Sequence, residues 1–138
     1  MTIIMTLNEW QHAIVPENQY IVQASTSDGL DGITASSIGM CYGFVHFKGN
    51  TEICQIGSHA DLAFCAINEG TDQRRRGTND INRKQILKTL SNNGFNNVTI
   101  EADKYFTVLP NYKFVISPEG NGIDCHRHYE ALMAGCIP

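Results

Sequence analysis

The feature that most restricts this chain is an uninterrupted apolar run, Leu62-Ala63-Phe64-Cys65-Ala66-Ile67. Six apolar residues without alternation suit a strand buried on both faces, and such strands belong to parallel sheets covered by helices. A polar stretch, 68–79, follows, and then a helical pattern over 80–90. Ile86, Leu87 and Leu90 give that helix an apolar face, Thr78, Asn79 or Asp80 can cap its start, and Asn92-Asn93-Gly94 stops it. Short strands are predicted at 98–100 and at 113–117, the second bounded by Pro110 and Pro118. A second helix is predicted over 124–134, with Gly135 as its stop and 136–138 opening another strand. From residue 62 onward the order is β-α-β-turn-β-α-β, which predicts an α/β fold with a parallel sheet. Upstream, 19–24 reads as a strand, 25–32 as turn-rich, and 43–47 and 52–56 as strands around Lys48-Gly49-Asn50. There is no internal repeat and no low-complexity segment.

Composition narrows the function classes. With 138 residues, 42% hydrophobic and 17% charged, the chain is of globular and not disordered type. A net charge of −4 argues against a protein that coats nucleic acid. The charge is uneven: residues 1–70 hold seven acids and one base, whereas 71–138 hold seven acids and nine bases. The basic half contains Arg74-Arg75-Arg76 close to Arg83 and Lys84. That run is either a solvated loop or an anion site for a small phosphorylated ligand. No apolar stretch reaches the roughly 18 residues of a membrane span, and the first residues lack a basic, secretory-type start. Five cysteines with no Cys-x-x-Cys pair, several inside apolar runs, read as buried reduced thiols in a cytoplasmic protein. Asn97-Val98-Thr99 is a glycosylation sequon that would count only in a secreted chain.

The chemistry concentrates in one strand–turn–helix. The predicted strand at 113–117 runs into Glu119-Gly120-Asn121-Gly122, and that turn opens the helix carrying Arg127 and Glu130. Unpaired backbone N–H groups at a helix start attract anions, and ligands of open α/β sheets collect at the carboxyl ends of strands. Gly120 and Gly122 would let a ligand approach the backbone closely. Arg127 and Glu130, three residues apart, share a helix face. The arginine suits a diphosphate and the carboxylate suits ribose hydroxyls; equally, the two could form a surface ion pair. The glycines do not complete a dinucleotide fingerprint, because Cys125 stands at the third glycine position. Asp124-Cys125-His126-Arg127-His128 holds metal-ligand residue types, but neighbouring helical residues diverge and no second cluster accompanies them, so no metal is expected. Glu101-Ala102-Asp103 could hold a divalent ion or form a strand-end loop, and Asp28 and Asp31 read as turn residues.

The stretch 113–138, from Lys113-Phe-Val-Ile-Ser-Pro-Glu-Gly-Asn-Gly through Arg127-His-Tyr-Glu130 to Gly135-Cys-Ile-Pro138, resembles the donor-site signature of exostosin-like glycosyltransferases. Asn82-Arg83 more loosely resembles the preceding β-α unit of that family. The segment from Tyr20 to Asp28 and Gln55-Ile-Gly57 faintly resemble the end of the acceptor lobe and the crossover. The resemblance implies a GT-B architecture with Rossmann-like parallel sheets. Residues 1–58 would be the end of the acceptor lobe and crossover, and 59–138 the front portion of the donor lobe. It implies that Arg127 meets the diphosphate of a nucleoside-diphosphate sugar, Glu130 the ribose, and Glu119, Gly120, Asn121 and Gly122 the sugar-side turn. Arg83 would be the second phosphate arginine, with Arg76 competing for that role. No tightly bound cofactor or metal is implied, the partners being the nucleotide sugar and a carbohydrate acceptor. A general base would come from the acceptor lobe, where Asp28 is the candidate within these residues. Because 138 residues are too few for two full lobes, the chain is expected to be part of such an enzyme. The alternative is a non-catalytic remnant that binds nucleotide or a partner chain, with self-association through exposed lobe surface.

Overall fold

The structure, a computed structural model, describes residues 2–6, 19–24, 33–41, 59–72 and 81–138. Strands β1 (Thr2–Thr6), β2 (Gln19–Ala24) and β3 (Ile33–Ser36) form a sheet in the order β1-β2-β3. Both of its pairings are parallel, with Ile4 opposite Ile21 and Ile21 opposite Ile33. Strand β4 (Asp61–Phe64) pairs in parallel with β5 (Tyr112–Val115), Ala63 lying opposite Phe114. Three helices accompany this second sheet: α1 (Arg83–Asn92), α2 (Ala102–Val108) and α3 (His126–Met133). The expected mixed α/β character and parallel pairing are both present. No helix among the described residues is long and apolar enough to cross a membrane.

Helices this short do not stand alone in water, so packing has to hold them. Phe64 of β4, Val115 of β5, Tyr105 and Phe106 of α2, and Ala131 and Ala134 at the end of α3 form one core with Leu109 and Cys136. Leu109 and Cys136 are fully buried, and the Cys136 thiol donates to the Leu109 carbonyl at 3.1 Å. Each large apolar side chain closed off in this way contributes about 1.5–3 kcal/mol.

The predicted elements are met with several corrections. The strand at 62–67 is shorter and buried only toward its end: Leu62 is 64% exposed, and burial begins at Phe64. Leu62 instead borders an apolar groove with Leu90, Phe95, Phe114 and Ile137. The first helix starts at Arg83, and its cap is Asn82, whose side chain accepts from the Gln85 N–H at 3.0 Å, and not a residue of 78–80. Residues 98–100 are not a strand. There one backbone bond, from the Val98 N–H to the Cys65 carbonyl at 2.9 Å, is continued by the Asn97 side chain, which accepts from the Ile67 N–H at 2.8 Å and donates to the Ile67 carbonyl at 3.0 Å. Helix α2 replaces the expected strand-end loop at 101–103, because Tyr105 and Phe106 are drawn into the core. Helix α3 starts at His126 and not at Asp124, whose carboxylate is engaged elsewhere. It stops as expected, with Gly135 at φ +77°. Ile137 makes a single parallel bridge to Phe114 where a further strand was predicted. Strands β1 and β3 were not anticipated. The predicted strands at 43–47 and 52–56 lie outside the described residues.

Candidate functional site

The turn after β5 and the first turn of α3 border a cleft of about 530 Å³, within the range typical of small-molecule sites. Arg83, Gly120, Asn121, Arg127 and Glu130, proposed from sequence, all line it. Glu119 contributes through its backbone, and Gly122 is buried in the turn behind. Arg76 and Asp28 lie outside the described residues.

Arg83 is the first residue of α1 and only 4% exposed. Burying a guanidinium costs several kcal/mol unless its donors are matched. Here they are matched by backbone: Nε donates to the Glu119 carbonyl at 2.8 Å, Nη1 to Asn68 at 3.2 Å, and Nη2 to Pro118 at 3.0 Å. Its own N–H donates to Asp72 Oδ2 at 2.7 Å. Arg83 therefore ties the loop after β4 to the turn after β5. Burial, and then the Arg127 charge, pull its pKa below the usual arginine range, while Cys125 and Asp72 oppose the shift. Gly120 owes its identity to this arrangement, because a Cβ added there would sit 3.2 Å from Arg83 Nη2. The close approach predicted for a ligand at Gly120 is made by the protein's own arginine.

Arg127 is held differently. Its Nε donates to the Tyr105 hydroxyl at 3.2 Å, and its guanidinium carbon lies 5.6 Å from the centre of the Tyr105 ring. Among the described residues no other hydrogen bond engages this side chain, leaving most of its five N–H donors for a ligand. Burial pushes the Tyr105 hydroxyl up to about 12, with Arg127 partly opposing it. Glu130, one turn along α3, is 5% exposed and lines the cleft. It makes no ion pair with Arg127, so the surface-pair alternative is not what forms. Among the described residues no donor meets the Glu130 carboxylate, and its oxygens are not closed off from solvent. Asn121 Oδ1, also at the cleft, is buried without a hydrogen-bond partner.

Sequence reasoning missed the segment 37–41, of which Ile38 and Cys41 line the cleft. Asp124 holds that segment in place: its Oδ2 accepts from the Ile38 N–H at 2.9 Å and from the Tyr129 hydroxyl at 2.6 Å. His128 Nδ1 approaches Oδ1 at 3.4 Å. Burial pushes the Asp124 carboxyl up, but the hydrogen bonds from Tyr129, Ile38 and His128 outweigh it and leave it below the ordinary aspartate range. The bond to Asp124 correspondingly raises the Tyr129 hydroxyl. Of the metal-ligand residue types noted at 124–128, Asp124 and His128 are thus engaged with the protein, and the described residues contain no group of three or more such side chains placed to hold a metal. Glu101 pairs with Lys104 at 2.9 Å on an exposed helix turn. Of the cysteines, Cys65 and Cys136 are buried as expected, whereas Cys41 and Cys125 are half-buried and line the cleft. Burial pushes the Cys65 thiol up. The local sequence carried no signal for Tyr105 or for 37–41, because both reach the cleft through long-range contacts.

No family model, curated protein or solved structure matches the chain. The functional reading therefore rests on the residues of the cleft and on the motif they form.

Proposed function

We propose that the cleft holds the diphosphate and ribose of a nucleoside-diphosphate sugar, and that the chain is the donor-binding part of a glycosyltransferase of GT-B type. One observation carries this reading. Arg127 and Glu130 stand one helical turn apart on the same cleft wall, not paired with each other, and among the described residues neither fills its hydrogen-bonding capacity. A free guanidinium fork matches phosphate oxygens in two-point fashion, and an acceptor-only carboxylate matches a vicinal pair of hydroxyls. Diphosphate next to ribose presents those two groups side by side. With three donors committed to carbonyls, Arg83 acts through its positive field and by shaping the turn, more than by direct phosphate contact. In sugar transfer, such positive groups stabilise the charge that develops on the departing nucleoside diphosphate.

Calorimetric titration of UDP, GDP and their sugars tests the reading. Wild type is expected to bind at least one of them. Arg127→Met is expected to weaken that binding by about tenfold or more, the loss of a charge-assisted hydrogen bond. Glu130→Gln is expected to weaken the nucleotide more than inorganic diphosphate, which has no ribose. Equal affinities in wild type and both variants would sink the assignment.

A further inference from the structure

Three of the histidines lie among the described residues, and two have both ring nitrogens against protein oxygens. His59 Nδ1 faces the Pro110 carbonyl, and its Nε2 lies 2.9 Å from the Gly135 carbonyl. His128 reaches the Ser117 carbonyl through Nε2 at 2.7 Å and Asp124 through Nδ1 at 3.4 Å. His126 is different. Its Nδ1 lies 2.6 Å from the Gly39 carbonyl, and among the described residues its Nε2 makes no hydrogen bond. A carbonyl can only accept, so the hydrogen sits on Nδ1 and the neutral ring carries its lone pair on Nε2. This is how an orienting acceptor fixes the tautomer of a catalytic imidazole. His126 lines the same cleft as Arg127 and Glu130 and immediately precedes Arg127 on α3.

We infer that His126 is the base of this cleft, with Gly39 of the 37–41 segment as its positioning partner. The inference rests on the donor-site reading above. Nε2 takes the proton of the hydroxyl that attacks the sugar. In the simplest case, with water as the nucleophile, one water O–H bond breaks and its proton moves to Nε2. The oxygen bonds to the anomeric carbon, and the bond from that carbon to the phosphate oxygen breaks, its electron pair leaving with the nucleoside diphosphate. The proton on Nε2 then passes to solvent. The titratable groups that line the same cleft are Asp124 and Cys125 ahead of α3, Arg127 and Glu130 on it, Tyr105 of α2, Arg83 of α1, and Cys41.

Two measurements on the intact chain test this. Diethyl pyrocarbonate acylates imidazole lone pairs, so peptide mapping should find His126 modified faster than His59 and His128, and slowed by UDP or GDP. Hydrolysis of the nucleotide sugar that binds should fall by about 100-fold in His126→Asn, the scale of a lost general base. The asparagine amide keeps a donor for Gly39, so nucleotide affinity should be unchanged. The assignment is overturned if His126 is no more reactive than the other two histidines. It is equally overturned if the variant hydrolyses at the wild-type rate, or if wild type binds the nucleotide sugar without hydrolysing it. Failure of wild type to bind any nucleotide sugar is a separate result, which removes the donor-site reading and the base role with it.

Discussion

Arg83 enters the cleft from the first turn of α1, and Arg127 enters it from the first turn of α3. Two guanidiniums thus reach one space from two helix starts, and the protein treats them in opposite ways. Arg83 is almost wholly buried and gives three donors to the carbonyls of Asn68, Pro118 and Glu119. Arg127 is half-buried and, among the described residues, gives one hydrogen bond, to a tyrosine hydroxyl. An arginine whose fork is filled by backbone is a structural cross-link, and one whose fork is open keeps donors for a ligand. Residue type is the same and both stand in a first helical turn; what differs is whether carbonyls from distant segments converge on the side chain.

That contrast predicts a separation of stability from binding. The largest effect belongs to Arg83→Met, expected to cost about 3 kcal/mol or more, since three partly buried carbonyls lose a charged donor. Urea denaturation measures it, and Arg127→Met should cost below about 1 kcal/mol in the same assay, the worth of one cation–π contact. Equal losses in the two variants would break the comparison. Next in size is Gly120→Ala, expected to cost about 1–2 kcal/mol through overpacking, because its Cβ would lie 3.2 Å from Arg83 Nη2. The penalty should shrink in an Arg83→Met background, and a double-mutant cycle that finds simple additivity would place its origin elsewhere.

A smaller effect concerns the segment 37–41. The Asp124 carboxyl lies below its ordinary range in the folded protein, so its contribution is present above the unfolded aspartate value and is lost as pH falls through the folded one. Hydrogen exchange at the Ile38 amide should therefore speed up under acid, after correction for intrinsic rates. Asp124→Asn should show the faster exchange already at neutral pH and no acid step. The smallest expected signal is spectroscopic. Tyr105 should ionise near pH 12, and Arg127→Met should move it higher still, read as ultraviolet absorbance against a Tyr105→Phe control.

Much of the cleft was legible in the sequence because it lies on one contiguous strand–turn–helix. The turn at 119–122, the helix that follows it and the Arg127–Glu130 spacing are local properties of backbone and periodicity, and each recurs in the structure, the helix starting two residues later than predicted. Other expectations failed where a side chain took over work usually done by backbone. Asn97 satisfies Ile67 in place of a strand at 98–100, and Asp124 reaches across to Ile38 in place of opening α3. Polar side chains that substitute for ladder or cap bonds leave no periodic trace. Helix α2 was missed for a related reason: Tyr105 and Phe106 make its core-facing turn from residues with no strong helical preference.

The sequence by itself determined the α/β character, the parallel pairing and the strand–turn–helix that borders the cleft, because apolar runs, glycine turns and helix periodicity act over a few residues. Tertiary structure decided which arginine's fork stays open and which one braces the turn. It also decided that Gly120 makes room for Arg83, and that His126 keeps one nitrogen open while His128 keeps none. Those outcomes depend on carbonyls more than ten residues away along the chain, and convergence of that kind is a property of the folded chain alone.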